Sequence, residues 1–282
     1  MTRYKLLALD FDGTLIGRDG VVAADVVEAI ALAEAAGVRV CAATGRSYVE
    51  SAGIWRQLRL LSPPHPMILV GGAMVAEAET GRTLWQKVIP HEAACELADT
   101  LGRMGYVAMV LVDAWRHGVD YIVTAQGDHD AASRDWFSKM KVRVQRVERL
   151  ADAAGGPEAL RISTVVPPEL AGVMAAELAG RFADRLTVRA IQAPNYGVTI
   201  VEAHAAGADK LAGLRYIAQG LRLPLSQVVA VGDDTNDLTM VRGAGLGAAM
   251  PHAPQVLLDA ADRVVDAGLA DFIRRLTAGE ID

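Results

Sequence analysis

Apolar and polar positions form two alternating kinds of segment near the start of the chain. Residues 4–9 and 38–43 are apolar almost throughout, which is typical of strands covered on both faces of a sheet. Residues 21–36 between them repeat apolar side chains at helical spacing, and Gly37 follows as a common helix end. These three segments predict a βαβ unit.

The same alternation continues near both chain ends. A helix is predicted from about residue 47 through Leu58, then a strand at 67–70 and a turn at Gly71 and Gly72. In the last third, the predicted elements are a helix at 210–219, a strand at 228–231, a helix from about 238, and strands at 246–249 and 263–265. Strands that alternate with helices predict a doubly wound α/β fold with a parallel sheet.

The middle of the chain has a different order of elements. The predicted strands are 84–88, 107–112, 121–124, 160–165 and 186–191, and the predicted helices are 92–104 and 168–182. Strands 107–112 and 121–124 have no helix between them, so we expect a hairpin in an antiparallel sheet. The sequence therefore predicts an α+β domain at residues 83–190, inserted into a Rossmann-like core made of residues 1–82 and 191–282.

Composition narrows the functional classes. The chain has 282 residues and a net charge of −6 without long runs of one sign, which argues against a general nucleic-acid or anionic-membrane binder. The sequence shows no apolar run long enough to span a bilayer and no signal peptide, and its two cysteines form no disulfide framework. We therefore expect a cytoplasmic protein that is a monomer or a weak homodimer.

Polar motifs follow three of the predicted core strands. The motifs are Asp10 with Asp12, then Thr44-Gly45-Arg46, and then Asp233 with Asp237, while Lys210 begins a predicted helix. Ligands bind at the carboxyl ends of the strands in an open parallel sheet, so these side chains are expected to meet there. Carboxylates held together at a buried strand end disfavour their own ionised forms, which indicates a site that uses a cation.

The order of these motifs resembles that of the haloacid dehalogenase superfamily of phosphotransferases. The matching positions are residues 10–15, Thr44, Lys210, 232–237, 243–250 and 260–262. The Thr-Gly-Arg form of the second motif and the large insertion before Lys210 resemble the Cof-type phosphatase subfamily. The resemblance implies that the insertion is a cap that closes over the cleft and reads the leaving group. Its residues Trp115, Arg116, His117 and Arg134 are candidate contacts, although surface positions explain each of them as well.

The resemblance also implies a role for each catalytic and phosphate-binding residue. Asp10 is the implied nucleophile, which forms an aspartyl-phosphate, and Asp12 is the implied general acid and base. Neighbouring carboxylates are expected to raise the pKa of Asp12. The implied phosphate-binding residues are Thr44, through its hydroxyl and backbone N–H, together with Gly45, Lys210 and Asn236. Arg46 is either a substrate contact or a partner in a surface ion pair.

The implied cofactor is Mg²⁺, which prefers hard oxygen ligands. Its implied ligands are the carboxylates of Asp10 and Asp233 and the backbone carbonyl of Asp12. Asp237 is either a further ligand or a partner of Lys210, while Asp234 is expected to be a solvated turn residue. The sequence departs from the subfamily at Gly71, where Asn is usual, and at His252, where Gly-Asn-Ala is more usual than Pro-His-Ala. We expect His252 to be a loop residue, with a substrate contact as the alternative.

The favoured function is a Mg²⁺-dependent phosphatase that acts on small soluble phosphorylated metabolites, such as sugar phosphates. A phosphomutase needs the same pair of aspartates, and a non-catalytic regulator that binds phosphorylated metabolites is a third reading. An ion-pump ATPase is excluded, because pumps carry Thr where this chain has Asp12 and because the sequence lacks membrane spans. The sequence leaves the identity of the metabolite open.

Overall fold

A computed structural model describes residues 2–17, 19–60, 64–124, 134, 137–138, 142–193 and 197–281. The chain divides into two compact units, Met1–Trp85 with Asp209–Asp282, and Gln86–Ala208. No helix in these described ranges combines the length and apolar character that a bilayer crossing needs.

The first unit contains a sheet of eight strands in the order β14-β13-β12-β1-β2-β3-β4-β5. The strands are β1 Leu6–Leu9, β2 Arg39–Ala43, β3 Pro66–Leu69, β4 Met74–Glu77, β5 Thr83–Gln86, β12 Val228–Gly232, β13 Leu246–Ala249 and β14 Arg263–Val264. The pairs from β14 through β3 are parallel, whereas β4 runs antiparallel to β3. The doubly wound α/β class is confirmed. Two strands differ from the prediction: β4 was not predicted, and β5, predicted as a strand of the inserted domain, belongs to this sheet.

Helices cover both faces of this sheet. They are α1 Ala24–Ala35, α2 Tyr48–Trp55, α6 Lys210–Gly220, α7 Leu238–Gly243, α8 Gln255–Leu258 and α9 Leu269–Ala278. Leu6 and Ala8 of β1 belong to the apolar cluster that includes Leu214 of α6. Leu7 and Leu9 alternate to the opposite face and are equally buried. A central strand that is apolar at every position is therefore explained by burial on both sides.

The second unit contains a six-stranded sheet in the order β10-β11-β9-β6-β7-β8. Its strands are β6 Met109–Val112, β7 Tyr121–Thr124, β8 Val144–Val147, β9 Ala159–Val166, β10 Leu186–Ala193 and β11 Val198–Ala205, and its helices are α3 His91–Arg103, α4 Ala114–His117 and α5 Pro168–Phe182. The expected antiparallel pairing of β6 with β7 is confirmed, although the short helix α4 between them was not predicted. The pair of β7 with β8 is parallel in this otherwise antiparallel sheet.

The second boundary between the units differs from the predicted one. The sequence places the return to the core at residue 191, whereas the structure keeps residues 191–208 in the second unit. The reason is β11, which was not predicted and which pairs with β10 over its full length and with β9. A strand held by two neighbours in one sheet belongs to that sheet's unit, so the boundary moves to about Asp209.

His65 ties three parts of the first unit together. Its buried imidazole lies 2.8 Å from Oε1 of Glu79 through Nδ1 and 3.5 Å from Oε2 of Glu34 through Nε2. The other oxygen of Glu34 accepts the N–H of Val40 at 2.7 Å. Burial lowers the pKa of His65, but the hydrogen bonds and charges of the two glutamates outweigh this effect and raise the pKa above its ordinary value.

We expect His65→Gln to destabilise the protein most in acid. A histidine whose pKa is raised by folding contributes its full stability below the unfolded pKa of about 6.5 and loses it as pH rises through the folded pKa. Urea unfolding should show a deficit of about 1–3 kcal/mol near pH 6, which narrows above neutrality. A deficit that stays constant with pH would contradict the charged state of His65.

Candidate active site

The three central strands of the first unit bring the predicted motifs to one edge of the sheet. Leu9 of β1 is aligned with Ala42 of β2 on one side and with Val231 of β12 on the other. Asp10, Thr44 and Asp233 are the residues that immediately follow β1, β2 and β12. The order β12-β1-β2 therefore gathers residues that are far apart in the sequence at the carboxyl ends of neighbouring strands.

Lys210 joins two of the aspartates in the interior. Its Nζ donates to Oδ1 of Asp10 at 2.6 Å and to Oδ1 of Asp237 at 2.6 Å. Lys210 is 1 % exposed, Asp10 is 5 % exposed and Asp237 is fully buried. Their charges are therefore stabilised by one another and hardly by water. Burial lowers the pKa of Lys210, but the two carboxylates outweigh it and leave that pKa above its ordinary value, so Lys210 carries a positive charge.

Glycine at position 72 allows Lys210 to reach this place. Gly72 has a φ of +101°, and a Cβ atom there would lie 1.8 Å from the backbone oxygen of Asp209. The turn after β3 therefore touches the start of α6, where the Asp209 carboxylate accepts the N–H of Ala212 at 2.8 Å. This role of Gly72 was not predicted from the sequence, although its place in a Gly-Gly turn was a usable signal.

Asp237 is fully engaged by the chain. Its Oδ1 accepts from Lys210, and its Oδ2 accepts the backbone N–H groups of Asp233 at 3.0 Å and Asp234 at 3.1 Å. Two roles were expected as alternatives for Asp237, a metal ligand or a partner of Lys210. These contacts support the second role, and they also fix the loop that carries Asp233. Asp234 is exposed, as expected, and its carboxylate caps the short turn Thr235–Asp237.

The donor atoms in this cluster suit a hard divalent cation. Carboxylate oxygens of Asp10, Asp233 and Asp237 lie within 4.8 Å of one another, while Lys210 supplies one positive charge to the three. Burial raises the pKa of Asp10, the charge of Lys210 lowers it, and the charge of Asp237 raises it further. The resulting pKa of Asp10 is well above its ordinary value. Burial and Asp237 likewise raise the pKa of Asp233. A bound cation would relieve both effects, so these residues fit Mg²⁺.

Asp12 lies apart from the acidic cluster. Its side chain is about half exposed and accepts two hydrogen bonds from Arg46, 2.7 Å from Nε to Oδ2 and 2.5 Å from Nη2 to Oδ1. Neighbouring carboxylates were expected beside Asp12, but the structure places the guanidinium of Arg46 against it. Arg46 therefore forms an ion pair, which is one of the two roles expected for it. Its partner, Asp12, is the implied general acid and base.

The remaining phosphate-binding candidates line the same edge. The backbone N–H of Thr44 donates to Ile68 at 2.9 Å, which corrects the expectation that it is available to phosphate. The Thr44 hydroxyl accepts the N–H of Arg46 at 3.1 Å and keeps its own proton to donate, and Gly45 is half-buried between them. Within the described residues, no hydrogen bond reaches the buried Oδ1 of Asn236 or the buried hydroxyl of Thr14. Buried polar atoms normally have hydrogen-bond partners, so these two atoms can still form hydrogen bonds with a bound ligand.

His252 is a loop residue, as expected, but it also contacts the site. Its Nε2 lies 3.4 Å from Oδ2 of Asp233. The sequence offered one signal for this contact, the departure from the subfamily pattern at this position.

The comparisons with known proteins indicate the same family, and each match covers nearly the whole chain. A model of the family described as haloacid dehalogenase-like hydrolase matches residues 7–272. The 5-amino-6-(5-phospho-D-ribitylamino)uracil phosphatase YitU of Bacillus subtilis is 25 % identical over 97 % of this chain and 96 % of its own. A haloacid dehalogenase-like hydrolase from Bacteroides thetaiotaomicron superposes with a TM-score of 0.78 at 21 % identity, covering 97 % of this chain and 99 % of its own. A subclass IIB sugar phosphatase, BT4131, superposes with a TM-score of 0.73 at 20 % identity over 96 % and 98 % of the two chains.

Proposed function

Because this chain belongs to the haloacid dehalogenase-like hydrolase family, we propose that it is a Mg²⁺-dependent phosphatase of small phosphorylated metabolites. The proposal rests above all on the Asp10 carboxylate, which Lys210 holds at the carboxyl end of β1 beside Asp233. The family and its phosphatase relatives support hydrolysis, whereas the metal, the intermediate and the substrate class are parts of the proposal.

In the proposed reaction, Asp10 attacks the phosphorus atom of the substrate. A bond forms between a carboxylate oxygen and phosphorus, and the bond from phosphorus to the alcohol oxygen breaks, which leaves an aspartyl-phosphate. Lys210 orients the carboxylate through Oδ1 and places a positive charge where the phosphoryl group arrives. Water then cleaves the acyl phosphate, releasing inorganic phosphate and restoring Asp10.

Asp12 is the proposed carrier of the proton. It gives a proton to the departing alcohol and takes one from the attacking water in the second step. Its two hydrogen bonds from Arg46 imply an exchange of partners, because a phosphate is an equally suitable bidentate acceptor for a guanidinium. Arg46 would then bind phosphate while Asp12 becomes available for protonation.

The proposed cation is held by the Asp10 and Asp233 carboxylates and the Asp12 carbonyl, with Asp237 supporting the arrangement through Lys210 and the Asp233 loop. When bound, Mg²⁺ supplies charge neutralisation for the transferred phosphoryl group. We expect Mg²⁺ to raise the melting temperature and EDTA to abolish turnover. Full activity in metal-free buffer would contradict this part of the proposal.

Two relatives support the substrate class. YitU is named for a phosphoribitylamino compound and BT4131 is described as a sugar phosphatase, so we propose phosphorylated sugars or similar small phosphomonoesters for this chain. The second unit, residues 86–208, is the proposed source of selectivity for the leaving group. Trp115 is exposed on α4 of that unit and is available as a contact, whereas the exposed Arg116 forms ion pairs with Asp113 and Glu158, each at 3.2 Å.

The test is a panel of p-nitrophenyl phosphate, sugar phosphates and nucleotide monophosphates, assayed for inorganic phosphate with Mg²⁺. Phosphate release from small esters is the expected result. Conversion of one sugar phosphate to its isomer without phosphate release would instead support the phosphomutase. Binding of a metabolite without turnover would support the non-catalytic regulator.

A further inference from the structure

His252 approaches the acidic cluster from the strand next to β12. It lies in the turn after β13, and β13 pairs with β12 so that Ala249 is aligned with Gly232. This register brings the turn to the loop that carries Asp233. The imidazole is largely exposed, with 57 % of its surface accessible, whereas the Asp233 side chain is only 16 % exposed.

Oδ2 of Asp233 is confined between two neighbours. A Cβ atom at Gly13 would lie 2.0 Å from this oxygen, so the oxygen occupies the space that any side chain there would need. His252 contacts the same oxygen, with Nε2 at 3.4 Å. The backbone at Gly13 thus limits the carboxylate on one side and the imidazole limits it on another.

The ammonium group of Lys210 donates to Asp10 and Asp237, and among the described residues it makes no hydrogen bond to Asp233. In the described ranges of the chain, His252 is the only basic side chain within 4 Å of the Asp233 carboxylate. An imidazole with a proton on Nε2 can donate that proton to the carboxylate oxygen.

We propose that His252 is a positioning residue, whose Nε2–H donates to Oδ2 of Asp233 and holds that carboxylate in the orientation that binds the divalent cation. This inference rests on the proposed function, since it assumes that Asp233 is a ligand. His252 is outside the group of side chains whose ligand atoms lie within 4.8 Å of one another, which favours an orienting role over direct ligation. Partners of ligands commonly set metal affinity in this way.

The test compares Mg²⁺ affinity in His252→Ala, His252→Gln and Asp233→Asn with that of the wild type. The midpoint of the Mg²⁺-dependent rise in melting temperature is measured for each variant. His252→Ala should need about ten times more Mg²⁺, at the low end of the usual effect because the contact is exposed. His252→Gln, whose amide nitrogen reaches about as far as Nε2, should restore the affinity, and so should free imidazole added to His252→Ala.

The matched control is His91→Ala, which removes an exposed histidine from α3 in the second unit and should change nothing. An unchanged or tighter Mg²⁺ midpoint in His252→Ala would overturn the inference, and so would a His252→Gln variant as weak as the alanine. A different result would contradict the proposed function itself. If Asp233→Asn keeps the full Mg²⁺-dependent rise in melting temperature, Asp233 is not a ligand of the cation.

Discussion

Asp10→Asn is expected to abolish phosphate release, with a loss of at least about a thousandfold in kcat. The amide has nearly the shape of the carboxylate, but it has no anionic oxygen to attack phosphorus, so the covalent step is lost. Asp10 is buried 2.6 Å from Lys210, and the other carboxylate that Lys210 contacts, Asp237, also accepts two backbone N–H groups. Phosphate release is measured with Mg²⁺ on the best ester of the panel.

Asp234→Asn is the matched control for this variant. Asp234 is exposed on the neighbouring loop and caps the turn Thr235–Asp237, a task that asparagine performs as well. Its activity should stay within about twofold of the wild type. Circular dichroism and melting temperature check that both variants are folded. Turnover that survives in folded Asp10→Asn would refute the assignment of the nucleophile.

The fold of the first unit follows closely from the hydrophobic pattern, and the predicted family is confirmed by the match over residues 7–272. Strand β1 is covered on both faces, so its apolar run was easy to interpret. Strand β11 was missed because it buries Glu202 and His204, which a polarity pattern assigns to solvent. Glu202 is accommodated by Arg161 at 3.5 Å and Arg189 at 3.2 Å, neighbours that exist only once the sheet has formed.

Convergence of the site residues could be predicted, and the pairing of Lys210 with Asp237 was one of two predicted alternatives, whereas the other side-chain partners could not be predicted. The order of parallel strands determines which loops share an edge, so motifs at strand ends reveal Asp10, Thr44 and Asp233 together. Side-chain partners depend on angles and distances that no spacing encodes. The guanidinium of Arg46 on Asp12 is one such case, and the contact of His252 with Asp233 is another.

Lys210→Met is expected to cost both stability and activity. The substitution keeps the length of the side chain and removes the ammonium group, which leaves Asp10 and Asp237 buried without their counter-ion. Loss of one partner from a buried ion pair typically costs about 3–5 kcal/mol in the free energy of unfolding. The activity should fall at least about a hundredfold, because the ammonium group that stabilises the transferred phosphoryl group is lost as well. Urea unfolding and phosphate release measure the two effects.

A second substitution separates charge from packing at Lys210. If repulsion between the two carboxylates causes the loss of stability, Asp237→Asn added to Lys210→Met should recover part of it, because one of the buried negative charges is gone. The amide oxygen of the new side chain can still accept a backbone N–H, although the carboxylate accepted two. Lys5→Met, at an exposed lysine before β1, controls for loss of a lysine in general. A double variant no more stable than Lys210→Met would show that Lys210 stabilises the core by its packing, and the electrostatic account of this cluster would then be wrong.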